Sequence, residues 1–402
     1  MKKIFTLIIT FVLLAMLMSE TLQAIPAFAR KYNMSCQTCH SPAPRLKAYG
    51  DDFAGNGFRL SDKDAPRYTV ETGDADLSLI RDFPIAARFD AHATYNNANQ
   101  ENSDFGVPYI LKLLSGGEIA KDFAYYFYFY LSERGELVGV EDCYIMFNDL
   151  FNIDLDLYFG QFQVSDPLFK RELRLTLEDY QPYKMKPDFS KMNLAYDRGI
   201  MLTYGMDWGT DVILEVVNGC GLPKADANKL FDIDGHKTLV GRVSQDIGDF
   251  LRIGGFFLTG KEDMDNIISD YVTNNVQSYG PDMTLSFGEM IELNLQYVMR
   301  NDNFVFSTTD SVGTTQWVVD LNTKGAMAEL IFTPQGDQSK WYAASVFNWI
   351  ESDDKSLNYK TATLHFGYLL KRNLRLALEG TYNFSDADDP YTQFSLGIVT
   401  AF

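Results

Sequence analysis

From residue 85 onward, apolar and polar side chains alternate along successive stretches of the chain. In the first stretch, Arg88, Asp90, His92 and Thr94 lie on one face, and the residues between them are mostly apolar. A period of two places neighbouring side chains on opposite faces of a β-strand. Strands with one apolar and one polar face are typical of a barrel with lipid outside and water inside. The pattern recurs at residues 153–159, 363–368 and 374–379.

This alternation predicts sixteen strands, an even number, as single-chain bacterial barrels require. From the fourth strand onward the connections are alternately short and long, which is typical of short periplasmic turns and long outer loops. We therefore predict an all-β fold, a sixteen-stranded antiparallel outer-membrane barrel with both ends on the periplasmic side. Soluble β-sandwiches are the alternative, but their loops do not sort by length between two ends. The predicted strands are 85–96, 106–115, 118–132, 136–148, 152–163, 192–205, 210–218, 236–247, 250–260, 276–288, 290–301, 322–333, 339–350, 359–371, 373–384 and 391–402.

The longest predicted connection spans residues 164–191. In a barrel of this width, we expect it to fold inward and narrow the lumen. Lys170, Arg171, Arg174 and Glu178 would then line a constriction. The alternative is an exposed external loop.

The first 24 residues have the pattern of a secretory signal peptide. Lys2 and Lys3 precede a largely apolar stretch at residues 4–18, and a more polar stretch ends at Ala24. A membrane-spanning helix needs about 20 apolar residues, so we predict cleavage after Ala24 rather than a retained anchor. This divides the chain into a signal peptide at 1–24, a small segment at 25–84 and a barrel at 85–402.

The small segment contains a C-x-x-C-H motif formed by Cys36, Cys39 and His40. In an exported protein this spacing predicts covalent attachment of haem c. The two thiols can form thioethers with one haem, and the histidine that follows is held beneath the iron as an axial ligand. A redox cysteine pair and half of a zinc site are the alternatives. No βαβ pattern follows, however, and no further cysteine or histidine lies within fifty residues downstream. The motif occurs once, so we predict one haem per chain.

A short helix is predicted just after the motif. Leu46, Tyr49 and Phe53 have helical spacing, so they would share one face that covers the haem or docks on the barrel. A free-standing segment of this size is marginal, and haem and the barrel would both support it.

The sixth ligand of the iron has two candidates on the barrel wall. His92 and His365 both fall on the inward-facing positions of their strands. A histidine in a wet lumen is more often simply solvated. Met34 is too near Cys36 in sequence to reach the opposite haem face, and His236 falls near the outer rim.

Charge narrows the choice of partners. The chain has a formal net charge of −19, which argues against nucleic acid, because phosphate binding needs clustered Lys and Arg. Residues 25–70 hold seven basic and four acidic residues, whereas residues 71–402 hold 26 basic and 49 acidic ones. A basic segment against an acidic barrel is electrostatically favourable. Cys220 falls near the outer rim and Cys143 in the periplasmic half of its strand, and we predict no disulfide between them.

Two resemblances extend these predictions. The stretches YFGQF at 158–162, RGI at 198–200, VVNG at 216–219 and LTGK at 258–261 resemble the phosphate-selective porin superfamily, which includes porin O and porin P. Residues 27–60, AFARKYNMSCQTCHSPAPRLKAYGDDFAGNGFRL, are similar to the monohaem segment of outer-membrane fused cytochrome–porins. The second resemblance implies that Cys36, Cys39 and His40 hold the haem. It also implies a likeness to iron-oxidising members, which move electrons between extracellular iron and periplasmic carriers.

The resulting hypothesis is an electron-transfer protein in the outer membrane of a Gram-negative bacterium. It would exchange electrons between an extracellular donor or acceptor, for example a metal ion such as iron, and a periplasmic carrier such as a soluble cytochrome. The haem segment would lie on the periplasmic side or inside the lumen. The alternative is a diffusion porin in which haem is a structural or sensory plug. An Fe(II)-oxidising activity fits this plan, but a conventional haem enzyme is disfavoured because no acid–base group is visible near the motif.

Overall fold

A computed structural model describes residues 27–60, 70, 72–74, 76–81, 83–98, 102–188, 190–264, 272–303, 306–309, 315–318, 320–385 and 390–402. The signal peptide predicted at 1–24 lies outside these residues. Among the described residues, sixteen strands close into one antiparallel barrel, and two short strands form a separate hairpin. In chain order the strands are β1 (Ile85–Asn96), β2 (Asn102–Ala120), β3 (Phe123–Glu133), β4 (Gly139–Phe147), β5 (Leu155–Gln163), β6 (Tyr196–Met206), β7 (Thr210–Val217), β8 (Thr238–Ile247), β9 (Leu251–Met264), β10 (Val272–Phe287), β11 (Ile291–Asn303), β12 (Phe306–Thr309), β13 (Thr315–Val318), β14 (Leu321–Phe332), β15 (Trp341–Ser352), β16 (Tyr359–Lys371), β17 (Leu374–Asn383) and β18 (Tyr391–Ala401).

The predicted all-β class and the count of sixteen barrel strands are confirmed. β1 pairs with β18 from Arg88↔Ala401 to Asn96↔Gln393, which closes the sheet and removes its edges. The predicted alternation is present along β16, where His365 is buried inside and Leu364 and Phe366 are 72% and 43% exposed outside. The hairpin β12–β13 lies in a connection that was predicted to be without strands.

The two ends of the barrel differ in the length of their connections. At one end, here called the turn end, β1 begins, β18 finishes and short turns such as 207–209 and 372–373 join the strands. At the other end, here called the loop end, the connections include 164–195 and 218–237. The predicted sorting of short and long connections is therefore confirmed.

The predicted turn between the second and third strands is wrong. The sequence pattern places this turn at Gly116 and Gly117, but β2 continues through them to Ala120, and the turn falls at Lys121 and Asp122. Gly116 instead allows a close approach, because a Cβ there would lie 2.8 Å from a ring carbon of Phe58. Glycine serves both turns and close contacts, so the sequence did not distinguish the two.

Residues 27–60, here called the head, lie at the turn end of the barrel. The head has two short helices, α1 (Ala27–Tyr32) and α2 (Ala48–Gly55). No helix of the described residues is long and apolar enough to cross a membrane. The Phe58 ring stacks at 5.2 Å on Tyr126 of the barrel wall, and Asn148 donates a 2.6 Å hydrogen bond to the Gly55 carbonyl.

Ion pairs fix the head at three places around the mouth of the barrel. Its basic side chains contact carboxylates of the wall or turns, as the charge distribution predicts. The pairs are Arg45 with Glu292, Lys47 with Asp337 at 3.3 Å, and Arg59 with Glu118 at 3.3 Å and Asp122 at 3.0 Å. Because these contacts come from different strands, the head spans the mouth rather than one side of it.

Replacing Arg45, Lys47 and Arg59 together with alanine should loosen the head. Partly exposed ion pairs are each worth about 1 kcal/mol or less, so losing all the pairs of these three side chains should speed amide hydrogen exchange in α2 by roughly tenfold. Lys121→Ala is the control, since its side chain is 88% exposed and lies outside the head. Unchanged exchange in α2 of the triple variant would show that these pairs do not hold the head.

The connection 164–195 folds into the lumen, so the prediction of an inward loop is confirmed. Its apolar residues pack on inward-facing apolar residues of the wall. Tyr183 donates to Gln296 of β11 at 3.1 Å, and Tyr180 donates to Glu329 of β14 at 2.9 Å. The loop members of this cluster are Val164, Tyr180, Tyr183, Met185, Met192 and Leu194, and the wall members are Val240, Phe256, Leu258, Val276, Val298, Met327, Val346 and Ile350.

Polar groups of the same loop contact strands of the wall outside the apolar cluster. Lys112 of β2 pairs with Glu172 at 3.1 Å, and the backbone N–H of Leu177 donates to Glu379 of β17 at 2.8 Å. All four residues predicted to line a constriction have partners. Lys170 pairs with Asp51 of the head, and both Arg171 and Arg174 pair with Asp179 of the loop itself. Glu178 accepts hydrogen bonds from three side chains of the wall and its connections, those of Asn348, Tyr359 and Thr361. The loop thus contacts strands on opposite sides of the barrel.

Candidate functional site

The C-x-x-C-H motif folds as a tight turn at the start of the head. Cys36–Thr38 form one 3-10 turn, in which Ser35 caps the first residue by accepting from the Gln37 N–H at 3.4 Å. The His40 N–H then donates to the Cys36 carbonyl at 2.9 Å. Cys36, Cys39 and His40 all line one cavity as a result.

One nitrogen of the His40 ring is already hydrogen-bonded within the head. Its Nδ1–H donates to the carbonyl of Pro44 at 2.9 Å and lies 3.2 Å from that of Arg45. This fixes the tautomer and leaves Nε2 as the nitrogen able to bind a metal. Burial lowers the pKa of His40, against the opposing effect of its backbone hydrogen bonds to Arg45 and Pro44, so the ring is neutral near pH 7. Neutral imidazole is the form that binds metals.

The packing of α2 holds the motif in place. The Lys47 N–H donates to the Cys39 carbonyl at 2.8 Å. Gly50 of α2 lies so close that a Cβ there would be 2.4 Å from the same carbonyl oxygen. Burial raises the pKa of both Cys36 and Cys39, and the charges of Arg372 and Lys47 respectively oppose it. Both thiols are free, as are Cys143 and Cys220.

The cavity beside the motif lies between the head, the wall and the inward loop. Its empty volume is about 1460 Å³, part of it open to solvent. Phe28 and Phe58 stack at 4.7 Å on its head side. The head's apolar lining includes Ala27, Phe28, Met34, Leu46, Phe53 and Phe58, and the wall's includes Ala86, Leu114, Tyr126, Leu369, Leu374 and Val399.

The predicted helix covers this cavity only in part. α2 begins after Leu46, which lies in the strand-like bridge opposite His40. Phe53 and Leu46 line the cavity, whereas Tyr49 points away and is 44% exposed. The prediction that all three share one covering face is therefore wrong for Tyr49.

The wall side of the cavity carries four basic side chains. Arg88, Lys112, Arg372 and Arg375 all contribute to its lining. The sequence alone did not select them, because they lie some 50 to 340 residues from the motif and meet it only when the barrel closes. They are the residues of the site that sequence reasoning missed.

Neither predicted barrel histidine lines the cavity at the motif. His92 and His365 share a smaller cavity, separated from the first by Arg88 and Arg375. The His365 ring lies between Glu379 at 2.9 Å and the Tyr342 hydroxyl at 3.3 Å. The buried His92 ring has no hydrogen-bond partner among the described residues. Met34, which sequence spacing had set aside, does line the motif cavity.

The donor set at the motif fits haem c. Two thiols at the required spacing, one imidazole with its Nδ1 held, and an apolar cavity of sufficient size meet at one place. Cys36 and Cys39 would hold the group covalently and His40 Nε2 would bind its iron. In the part of the chain that is described, no group of three or more His, Cys, Asp or Glu side chains is arranged to hold a bare metal ion.

Comparison with known proteins supports the fold. No family model matches the chain, and no curated protein sequence matches it. An anion-selective porin from Comamonas acidovorans is similar at 12% identity and a TM-score of 0.55, with 80% of this chain and 99% of that chain covered. The outer membrane channel DcaP of Acinetobacter baumannii has 11% identity, coverage of 80% and 97%, and a TM-score of 0.54. Salmonella typhi OmpF, solved in complex with daunomycin, has 10% identity, coverage of 79% and 97%, and a TM-score of 0.54.

These likenesses define the class of fold. The chain has a porin-like sixteen-stranded barrel, to which a head with a C-x-x-C-H motif is added at the turn end. Identities of 10–12% carry no further information on activity. The resemblance to the porin O and porin P superfamily and to fused cytochrome–porins remains a prediction.

Proposed function

We propose that the chain is an outer-membrane barrel that carries one covalent haem c and transfers electrons between an extracellular donor or acceptor and a periplasmic carrier. The observation that carries this proposal is the apolar cavity in which Cys36, Cys39 and His40 meet. When bound, haem supplies a one-electron redox centre. The thiols hold it, the Pro44 carbonyl orients the His40 ring, and the aromatic lining of the head excludes water.

The membrane location rests on the barrel's outer surface. A closed barrel satisfies every backbone hydrogen bond between its strands, so it can cross lipid. Apolar side chains cover the outward positions of many strands, including Phe159, Leu214, Phe257, Leu330 and Leu378, all of them exposed. With the head at the turn end, the proposed haem lies on the periplasmic side of the barrel.

The inward loop argues against free diffusion of solutes through the barrel. A water-filled lumen is lined by polar side chains. Here the loop forms an apolar cluster with the wall along β8 to β15, which fills that part of the lumen. Electrons need no aqueous path, whereas a solute does.

A diffusion porin is the second candidate. It has the support of the fold, because the similar structures include an anion-selective porin and an outer membrane channel. A polar cavity with about 2500 Å³ of empty space also opens beside the head at the turn end. In this alternative the haem would be a structural or sensory plug.

Electron exchange with a soluble c-type cytochrome tests the proposal on the purified protein. We expect a haem absorption spectrum that is reduced and reoxidised reversibly, and exchange with the cytochrome in stopped-flow mixing. The variant Cys36→Ser with Cys39→Ser is the control for signals from contaminants. A haem that is present but exchanges with no soluble cytochrome would favour the plug alternative.

Epitope tags test the orientation. The loop end should face outward, so tags beside Asp226 and Asp354 should bind antibody on intact cells. Tags beside Asp249, in the turn between β8 and β9, and after Ala24 should bind only after the outer membrane is permeabilised. Binding at Asp249 in intact cells would reverse the proposed orientation.

A further inference from the structure

Arg375 of β17 is a buried cation whose charge has no direct partner. Its side chain is 5% exposed and lines the cavity at the motif. Its Nη1 donates to the Ala43 carbonyl at 2.7 Å and to the Tyr342 hydroxyl at 2.8 Å, both uncharged. Its Nε is buried without a hydrogen-bond partner. No carboxylate of the described residues lies within 4.0 Å of its guanidinium.

The carboxylates nearest in the fold are already engaged. Both oxygens of Asp90 accept from Arg88, at 2.9 and 2.7 Å. Glu379 accepts from the backbone N–H groups of Leu177 and Glu178, at 2.8 and 3.0 Å, and contacts His365. Neither lies within 4.0 Å of the Arg375 guanidinium, so neither forms a direct ion pair with it.

Arg372, in the turn between β16 and β17, is half-buried and also lacks a direct ion pair. It lines the same cavity, and its Nη1 donates to the backbone carbonyl of Asp337 at 3.1 Å. Within the described part of the chain, no carboxylate lies within 4.0 Å of it either. The other two cations of the wall differ, because Arg88 pairs with Asp90 and Lys112 pairs with Glu172.

A buried charge without a direct ion pair is costly, so an anionic ligand that pairs with it would stabilise the site. We propose that Arg375 and Arg372 form a carboxylate-binding site on the wall side of the motif cavity. This inference rests on the proposed function, since haem carries two propionate carboxylates on the edge opposite to the vinyl groups that Cys36 and Cys39 would bond. Planar guanidinium groups match carboxylates in geometry. The barrel wall thus sets the orientation of a group that the head holds.

The pair also bears on the redox property of the site. A nearby cation disfavours the more positive oxidised iron and keeps a propionate ionised. Removing Arg375 should therefore favour the oxidised state and raise the pKa of the propionate it contacts. The pKa of the propionate is lower when the iron is oxidised than when it is reduced. Between these two pKa values, reduction of the iron is accompanied by uptake of a proton, so the midpoint potential should fall as the pH rises.

Redox titration of the haem in the full-length protein tests this inference. In Arg375→Gln we expect the equilibrium constant for reduction to fall about tenfold, equal to about 59 mV for one electron. We also expect the potential to depend on pH near neutrality, where the wild-type potential is flat. Arg372→Gln should act in the same direction. Arg375→Lys, which keeps the charge, should restore the flat profile.

Two controls separate this inference from the proposed function. Arg252→Gln removes an arginine of the turn end that pairs with Asp246 outside the cavity, and it should leave the potential unchanged. Arg375→Gln in a Cys36→Ser, Cys39→Ser background should assemble at least as well as that background, because it removes an uncompensated buried charge. If Arg375→Gln fails to assemble with haem, Arg375→Lys and Arg372→Gln still give the potential and its pH profile.

Wild-type potential and pH profile in both glutamine variants would overturn the carboxylate site and leave the haem proposal standing. Absence of haem from the wild-type protein would overturn the proposed function, and this inference with it.

Discussion

Replacing Cys36 and Cys39 together with serine should yield a barrel that carries no covalent haem. Serine cannot form the thioethers, and the cavity offers no other thiol, because Cys143 and Cys220 lie outside its lining. Haem staining of a denaturing gel measures the loss, which should be complete in the double variant. The matched control is Cys143→Ser with Cys220→Ser, which should stain as the wild type does. Haem that remains on the denatured Cys36, Cys39 double variant would contradict the assignment.

The same double variant should still assemble in the membrane. The barrel closes through backbone pairing of β1 with β18 and of each strand with its neighbours, and none of these bonds involves the motif. Its folded band should therefore appear on an unheated gel at wild-type amounts. Failure to assemble would show that haem is needed for folding as well as for function.

Removal of the inward loop should open the barrel to solutes. The loop can be excised at its base, because the Val164 N–H donates to the Ala195 carbonyl at 2.8 Å and a short turn can bridge these ends. Replacing residues 166–193 with a short Gly-Ser turn should speed the uptake of small sugars into liposomes by roughly tenfold or more, because the loop and its apolar cluster no longer fill part of the lumen. The wild type should pass them slowly.

Two further variants serve as controls for the uptake experiment. An equally short turn in place of residues 222–234 removes part of an exposed connection at the loop end and should leave uptake unchanged. Tyr180→Ser with Tyr183→Ser loosens the loop without deleting it, which covers the case in which the deletion fails to assemble. Fast uptake by the wild-type protein would favour the diffusion porin over the electron-transfer proposal.

Most of the barrel could be predicted from the sequence because its local pattern carries the information. The alternation around His365 identifies a strand and its two faces without any distant contact. The sequence also carried a sign of the packed lumen, since Phe256, Phe257 and Leu258 are consecutive apolar residues and make both faces of β9 apolar there. An aqueous lumen would favour polar residues at the two inward positions.

Features that depend on contacts between distant parts of the chain could not be predicted from the sequence. The sequence favours a turn at Gly116 because two consecutive glycines are typical of turns. The actual reason for a glycine there is the ring of Phe58, which packs against it, and nothing near Gly116 in the sequence indicates that contact. Tyr49 has helical spacing with Phe53, but which face of α2 is covered depends on where the head meets the wall. Arg372 and Arg375 lie more than 300 residues from the motif, so only the closed barrel brings them to it. The motif itself could be identified from the sequence, since its chemistry depends on local spacing alone.

Optical spectroscopy of the haem in intact cells tests the central claim most directly. A reductant that cannot cross the outer membrane is added outside, and the reduced haem band is followed with time. The wild type should be reduced without permeabilisation, whereas the Cys36→Ser, Cys39→Ser variant should show no such band. A wild-type haem that is reduced only after the outer membrane is permeabilised would contradict electron transfer across the barrel.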